Sequence, residues 1–256
     1  MNKIIKSCQD NISCSDMLQQ LYGISSAEHF DCVFVAPSWP IDKVLDSATT
    51  DITEIYSDRF SKSHRIKHNG KSYLYIQLQV GAPNIVDFCL SCHSANCAKF
   101  VFVGSVGSLV PELEIGDVII PTCSISGNGA TLYLDDKLSP EKMFERTYSS
   151  PELNTELSNV CTSVGMSIKD ATPISIDSIA CEYAHLNAFR QMGATLIEME
   201  TATFFKAMQI IGKPASALLV VSDNSAVGQH LFGQGADLRA KYHAVRSRIK
   251  DVLLNL

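Results

Sequence analysis

Charge is sparse in this chain, and the balance leans acidic. Asp, Glu, Lys and Arg make up only 19% of its 256 residues, and 21 basic against 27 acidic side chains leave a formal net charge of -6. A broad positive surface is therefore missing, which excludes non-specific binding along a nucleic-acid backbone. A local basic pocket for one small anion stays open. Long apolar runs are missing too, since none approaches the roughly 20 residues of a membrane-spanning helix. The amino terminus, MNKIIKSCQDNISCSDMLQQ, has no apolar core followed by a small-residue cleavage site, so no signal peptide is expected. Nine cysteines, an odd number, without such a signal argue against a closed disulfide framework. They point to reduced thiols and a cytoplasmic chain. Repeats, low-complexity tracts and linkers are absent as well. What is abundant is apolar residue, at 46%, which excludes disorder and can fill a large core.

Strand-like and helix-like segments alternate along the chain. DCVFVAP (31–37), SYLYIQLQV (72–80) and AKFVFVG (98–104) read as buried strands. IGDVIIP (115–121), ATPISID (171–177), TLIEM (195–199) and SALLVVS (216–222) add four more. Helical spacing covers Pro83–Cys97, Ser150–Val164, Glu182–Met192, 201–212 and Ala236–Leu254. Proline at the first turn and glycine at the end punctuate several of these. The alternation predicts a single α/β domain over residues 1–256, with residues 1–25 as an added amino-terminal helix or arm.

Four segments carry candidate chemistry, and each also has a structural explanation. FCLSCHSANC holds Cys89, Cys92, His93 and Cys97, which matches a c-type haem attachment pattern and offers zinc ligands. A buried helix face of small hydrophobes accounts for it better. VGSVGSL sets Gly104, Ser105, Gly107 and Ser108 after a strand, where a tight turn presents N–H groups to an anion. It lacks the Gly-Lys-Ser/Thr of a phosphate loop and the third glycine of a dinucleotide fingerprint. IEMET places Glu198 and Glu200 two residues apart on a strand end, facing one side. A helix follows Glu200, so an N-terminal cap explains that acid but not the pair. VVSDN ends a buried strand with Ser222 and Asp223, where an acid is either a general acid or the cap of the next turn.

In this order, the segments GKSYLYIQLQVGAPN, VGSVGSLVPELEIGDVIIPT, IDSIACE, IEMETATFF and VVSD resemble the nucleoside phosphorylase family. That family contains hexameric purine nucleoside phosphorylases, uridine phosphorylases and methylthioadenosine nucleosidases. The resemblance runs from about Asp31 to the carboxyl end. It implies a three-layer α/β/α sandwich with a mixed, twisted central sheet. It further implies a homo-oligomer, as a dimer or trimer of dimers, that cleaves the N-glycosidic bond of nucleosides. No metal or organic cofactor is implied; phosphate is a co-substrate in phosphorolytic members and water replaces it in hydrolytic ones. By this resemblance Glu200 accepts hydrogen bonds from the sugar hydroxyls, Met199 packs on the sugar, and Val80 and Gly81 line its side. Asp223 protonates N7 of a purine, Ser222 holds it, and Arg239 approaches it from the terminal helix. Gly104 and Ser105 serve the nucleophile. Phosphorolysis of a purine nucleoside, as in purine salvage, is the leading expectation.

The chain departs from the family at the phosphate side. Ala36-Pro37-Ser38-Trp39-Pro40-Ile41-Asp42-Lys43 stands where Gly-Asp-Pro-x-x-Arg is usual, so Lys43 is the only nearby cation. Phe102 stands at a second arginine position. Arg59, eleven residues before Gly70, is spaced like an arginine donated by a neighbouring subunit. Ile179-Ala180 replaces a base-stacking aromatic, which alters the base side of the site. Lysine offers a point charge where arginine offers a planar fork, so these losses weaken phosphate binding. A hydrolytic nucleosidase and a nucleoside-binding homologue with weak or no turnover are the alternatives.

Overall fold

The central strands alternate faces residue by residue, and this alternation builds two cores. Val33 and Val35, Leu74 and Ile76, Phe100 and Phe102, and Ala217, Leu219 and Val221 fill one core. Their neighbours Cys32 and Phe34, Tyr73 and Tyr75, Val101 and Val103, and Leu218 and Val220 fill the other. Both faces are therefore covered, which is why these segments read as continuous apolar runs. Helices Cys14–Tyr22, Ala82–Ser91 and Thr201–Ile211 close the first core, and Pro151–Ser163 and Ala236–Leu253 close the second. The computed structural model describes residues 2–256.

The main sheet has twelve strands among the described residues. Its principal order is Arg146–Tyr148, Cys123–Ser126, Pro173–Ser175, Leu196–Glu198, Phe100–Ser108, Cys32–Val35, Lys71–Leu78, Ser61–His68, Asp51–Ser57. Cys32–Val35 and Ala215–Asn224 lie parallel to Phe100–Ser108, while Leu196–Glu198 pairs antiparallel with its far end. The sheet is thus mixed, and the expected three-layer α/β arrangement is present.

Several local readings are corrected. The Gly-Ser segment is not a turn: Phe100–Ser108 runs as one strand through Gly104 and Gly107. Those glycines leave room for large neighbours, since a Cβ at Gly104 would lie 2.9 Å from the Phe102 ring and one at Gly107 2.9 Å from the Asp223 carboxylate. The helix expected over Pro83–Cys97 stops at Ser91, continues as a tight turn over Cys92–Ser94, and leaves Cys97 on a two-residue strand. Cys89, Cys92 and Cys97 are all core residues, and burial pushes their thiols up, Cys97 to about 12. They pack as protonated small hydrophobes rather than as thiolate ligands. The expected Glu182–Met192 helix is two pieces, Ile179–Glu182 and Leu186–Gln191. The amino-terminal arm is two helices, Lys3–Asn11 and Cys14–Tyr22, the second anchored by Leu18 and by Tyr22 edge-on to Phe88 at 5.0 Å. No helix among the described residues is long and apolar enough to cross a membrane.

Candidate active site

The carboxyl ends of Phe100–Ser108, Leu196–Glu198 and Ala215–Asn224 meet at one cavity of about 230 Å³. Gly104, Ser105, Glu198, Met199, Glu200, Ser222 and Asp223 line it, joined by Val80 and Ile179. The structure thus brings together nearly all of the residues expected at the sugar and base positions.

The two glutamates divide the work differently from the sequence expectation. Glu198, not Glu200, caps the Thr201–Ile211 helix: one of its oxygens accepts from the backbone N–H groups of Glu200 and Thr201, each at 2.7 Å. Its other oxygen accepts from the Thr201 hydroxyl at 2.8 Å and from the Ser175 hydroxyl. Four donors and the positive end of a helix hold Glu198 in place. That leaves Glu200 as the carboxylate with spare acceptor capacity. Glu200 accepts one hydrogen bond, from the Gly81 N–H at 2.6 Å. Gly81 adopts φ 113°, a conformation that favours glycine, and so turns its N–H into the site. Burial, with Glu198 beside it, pushes the Glu200 carboxyl up to about 8.

Asp223 owes its position to a strand irregularity. Ala215–Asn224 and Phe100–Ser108 pair in register up to Val221–Val106, and then Asp223 pairs with Gly107, so Ser222 is the extra residue. Such a bulge re-aims the side chain that follows it. The Ser222 hydroxyl donates to Asp223 at 2.7 Å. The next residue, Asn224, ties the strand end down by donating to the Val110 and Leu113 carbonyls at 3.0 and 2.6 Å. Burial raises the Asp223 carboxyl above the usual range, with Ser222 and the charge of His230 opposing.

Three expected cations lie elsewhere. Lys43 sits 3.4 Å from Asp42 beside a separate cavity. Arg59 is exposed at a hairpin tip, stacked over Phe60 at 4.4 Å. Arg239 is exposed on the terminal helix, away from the cavity lining. No Lys or Arg lines this cavity among the described residues.

Other participants were not anticipated. Trp39 is fully buried and donates its indole N–H to the Ser105 hydroxyl at 2.9 Å. The Tyr242 hydroxyl lies 2.6 Å from the same oxygen. Tyr75 fixes the Trp39 backbone by donating to its carbonyl at 2.9 Å. The guanidinium of Arg246 stacks near Trp39 and Tyr242, at 5.9 and 5.5 Å from their rings. Glu182, buried at the end of its helical turn, faces the same cavity. Burial, aided by the charge of Asp223, pushes its carboxyl up to about 7. Trp39 follows the first buried strand directly, at the segment whose arginine is missing, and that position was its signal. Glu182 closes the IDSIACE segment of the family resemblance, but the helical spacing from Glu182 to Met192 gives that acid no role of its own.

Comparison with known proteins places this geometry. Residues 32–256 match the phosphorylase superfamily. A uridine phosphorylase of Thermococcus kodakarensis is 23% identical over 214 residues, covering 77% of this chain and 73% of that protein. A futalosine hydrolase mutant of Helicobacter pylori superposes with TM-score 0.67 at 19% identity, over 87% of this chain and 96% of its own. A mutant nucleosidase from Helicobacter pylori with 5′-methylthioadenosine in its active site superposes with TM-score 0.70 at 19% identity, over 88% and 99% of the two chains. With the expected acids gathered at one cavity and the match running from the first buried strand to the last residue, the chain belongs to the phosphorylase superfamily.

Proposed function

We propose that this protein cleaves the N-glycosidic bond of a purine nucleoside and that water is the acceptor. The observation that carries this reading is the charge of the cavity: Glu182, Glu198, Glu200 and Asp223 line it, and no cation does among the described residues. Positive charge grows on the sugar as the bond breaks, and a carboxylate beside it stabilises that charge. Glu200 serves there, accepting from sugar hydroxyls with the oxygen capacity that Gly81 leaves free; those donors and the growing positive charge of the sugar favour its ionised form against the burial that holds the empty site's carboxyl up at about 8. Negative charge grows on the leaving base. Asp223, whose carboxyl burial raises above the usual range, gives a proton to N7 as the bonding electrons move to the base. Water adds to the sugar carbon and releases one proton, which restores the acid.

The nucleophile side favours water over phosphate. Ser105 meets an indole N–H and a phenol there, both neutral. The Ser105 hydroxyl, held by those two groups, is the neutral polar group that this side of the cavity offers to water, whereas a phosphate dianion in an acidic cavity needs a fixed positive charge, and the Arg246 guanidinium stacks near Trp39 and Tyr242 outside the lining. Phosphorolysis remains the second reading, supported by the family resemblance, in which an arginine spaced like the exposed Arg59 is donated by a neighbouring subunit. Homo-oligomeric assembly is part of that second reading. The test is release of free base from purine and pyrimidine nucleosides, followed by chromatography, with phosphate absent and then in millimolar excess. Water as acceptor predicts purine release at a rate that phosphate leaves unchanged. A strict phosphate requirement selects the second reading, and ligand binding without release from any nucleoside selects a binding protein.

A further inference from the structure

Two neutral side chains from distant parts of the chain converge on the Ser105 hydroxyl, and together they fix where its proton points. Trp39 follows a strained turn. Ser38 adopts φ 56°, one of three non-glycine residues at positive φ among the described residues, and it lines the cavity. Strain of that kind persists only where the surroundings hold it, and it collects at functional sites. The turn sends the buried indole to Ser105, and its N–H donates to the hydroxyl oxygen at 2.9 Å. Tyr75 locks the turn by donating to the Trp39 carbonyl. Tyr242 reaches the same Ser105 oxygen from the terminal helix, at 2.6 Å, and Arg246 stacks near both rings. Trp39 and Tyr242 lie outside the segments that carry the family resemblance.

An indole N–H only donates, so the Ser105 oxygen accepts from Trp39. Ser105 is the one hydrogen-bond partner of the Tyr242 hydroxyl among the described residues. Were Ser105 the donor of that bond, the phenol proton of a buried residue would be left unpaired. With Tyr242 donating, both lone pairs of Ser105 are filled, and its own proton is left for the cavity that it lines. We propose that Tyr242 and Trp39 are positioning residues for the acceptor water: by filling both lone pairs of Ser105 they aim its proton at the water oxygen. This inference rests on the water reading above. The water accepts one hydrogen bond from Ser105 and keeps its second lone pair for the sugar carbon, with both protons turned away from that carbon. A sugar with oxocarbenium character needs little activation of its acceptor, so orientation is what the protein can add. The new C–O bond forms as the C–N electrons pass to the base, and the proton that water loses replaces the one that Asp223 gave.

The test follows adenosine cleavage in water–methanol mixtures by the wild type, Tyr242→Phe, Trp39→Phe and Ser105→Ala, with ribose and methyl riboside counted by chromatography. A water held by Ser105 should be favoured over methanol beyond the ratio of the two in the solvent. Each variant should lower kcat by roughly 2- to 10-fold, the worth of one hydrogen bond, with KM for adenosine unchanged. Each should also move the ratio of methyl riboside to ribose towards that of the solvent. That ratio does not depend on how much of the protein is folded, so a merely structural role would leave it in place. A wild type that already follows the solvent ratio overturns the inference, and so does a ratio that Tyr242→Phe does not move. Base release from no nucleoside, or only with phosphate, is instead a failure of the water reading. In that event calorimetry with adenine present compares ribose with 1,4-anhydroribitol, which lacks the anomeric hydroxyl. The inference predicts that the wild type prefers ribose and that Tyr242→Phe loses the preference. Equal binding, no binding of either sugar, or a preference that the variant keeps overturns it.

Discussion

Gly107 offers a direct test of how the fold places its general acid. It pairs with Asp223 across the two central strands. A methyl group at position 107 would lie 2.9 Å from Oδ2 of Asp223 and 3.1 Å from a methyl of Ile197. Relaxed contacts lie at about 3.5–4.0 Å, so the carboxylate must retreat by roughly half an ångström or more. Gly107 has no positive φ among the described residues, so alanine fits the backbone itself. Overpacking of this kind costs about 1–3 kcal/mol of stability. The effect on rate is larger, because general acid help is worth roughly 10²–10⁴-fold and a misplacement of about 1 Å can remove 10²-fold. Gly107→Ala should therefore stay folded and lose about 10²-fold in kcat on a natural purine nucleoside. A nitrophenyl riboside, whose leaving group departs without protonation, should lose far less. The assay is steady-state turnover on both substrates, beside a urea melt. Equal loss on both would mean that the cavity collapsed rather than that the acid moved. Unchanged turnover on both would refute the placement of Asp223 as the acid.

Three further outcomes follow from the same geometry. Glu200→Gln should keep the fold and lower kcat/KM by roughly 10- to 100-fold, the worth of a charged hydrogen bond to a sugar hydroxyl, in steady-state kinetics. Glu182 is raised to about 7 in the folded protein, so the stability it contributes in its protonated form is complete below its ordinary range and lost as pH rises to about 7. Glu182→Gln should accordingly gain roughly 1–3 kcal/mol over the wild type at pH 8, with little difference at pH 4.5, by urea unfolding at the two values. Trp39→Phe should lose about 0.5–1.5 kcal/mol through the missing bond to Ser105, measured the same way.

Much of the layered fold was legible because buried strands covered on both faces write continuous apolar runs. Cys32–Val35, Lys71–Leu78 and Ala215–Asn224 lie where those runs predict them. The Gly-Ser segment was misread because clustered glycines usually mark a turn. Here they give way to Phe102 and Asp223, and only the partner strand reveals that need. The roles of Glu198 and Glu200 were likewise hidden. Their spacing shows two acids, but the N–H that holds Glu200 comes from Gly81, 119 residues away. The indole that holds Ser105 comes from 66 residues away. Local pattern carries the elements and the types of acid, while long-range contacts decide which acid is tied down and which is free.

The most direct measurement of the central claim is the identity of the sugar product. Incubation of the protein with adenosine in phosphate buffer, followed by proton and phosphorus magnetic resonance, distinguishes free ribose from ribose 1-phosphate. Water as acceptor, in an acidic cavity whose nucleophile side is lined by Ser105 with the buried Trp39 behind it, predicts free ribose and adenine with no phosphorus signal on the sugar. Accumulation of ribose 1-phosphate as the first product would contradict it.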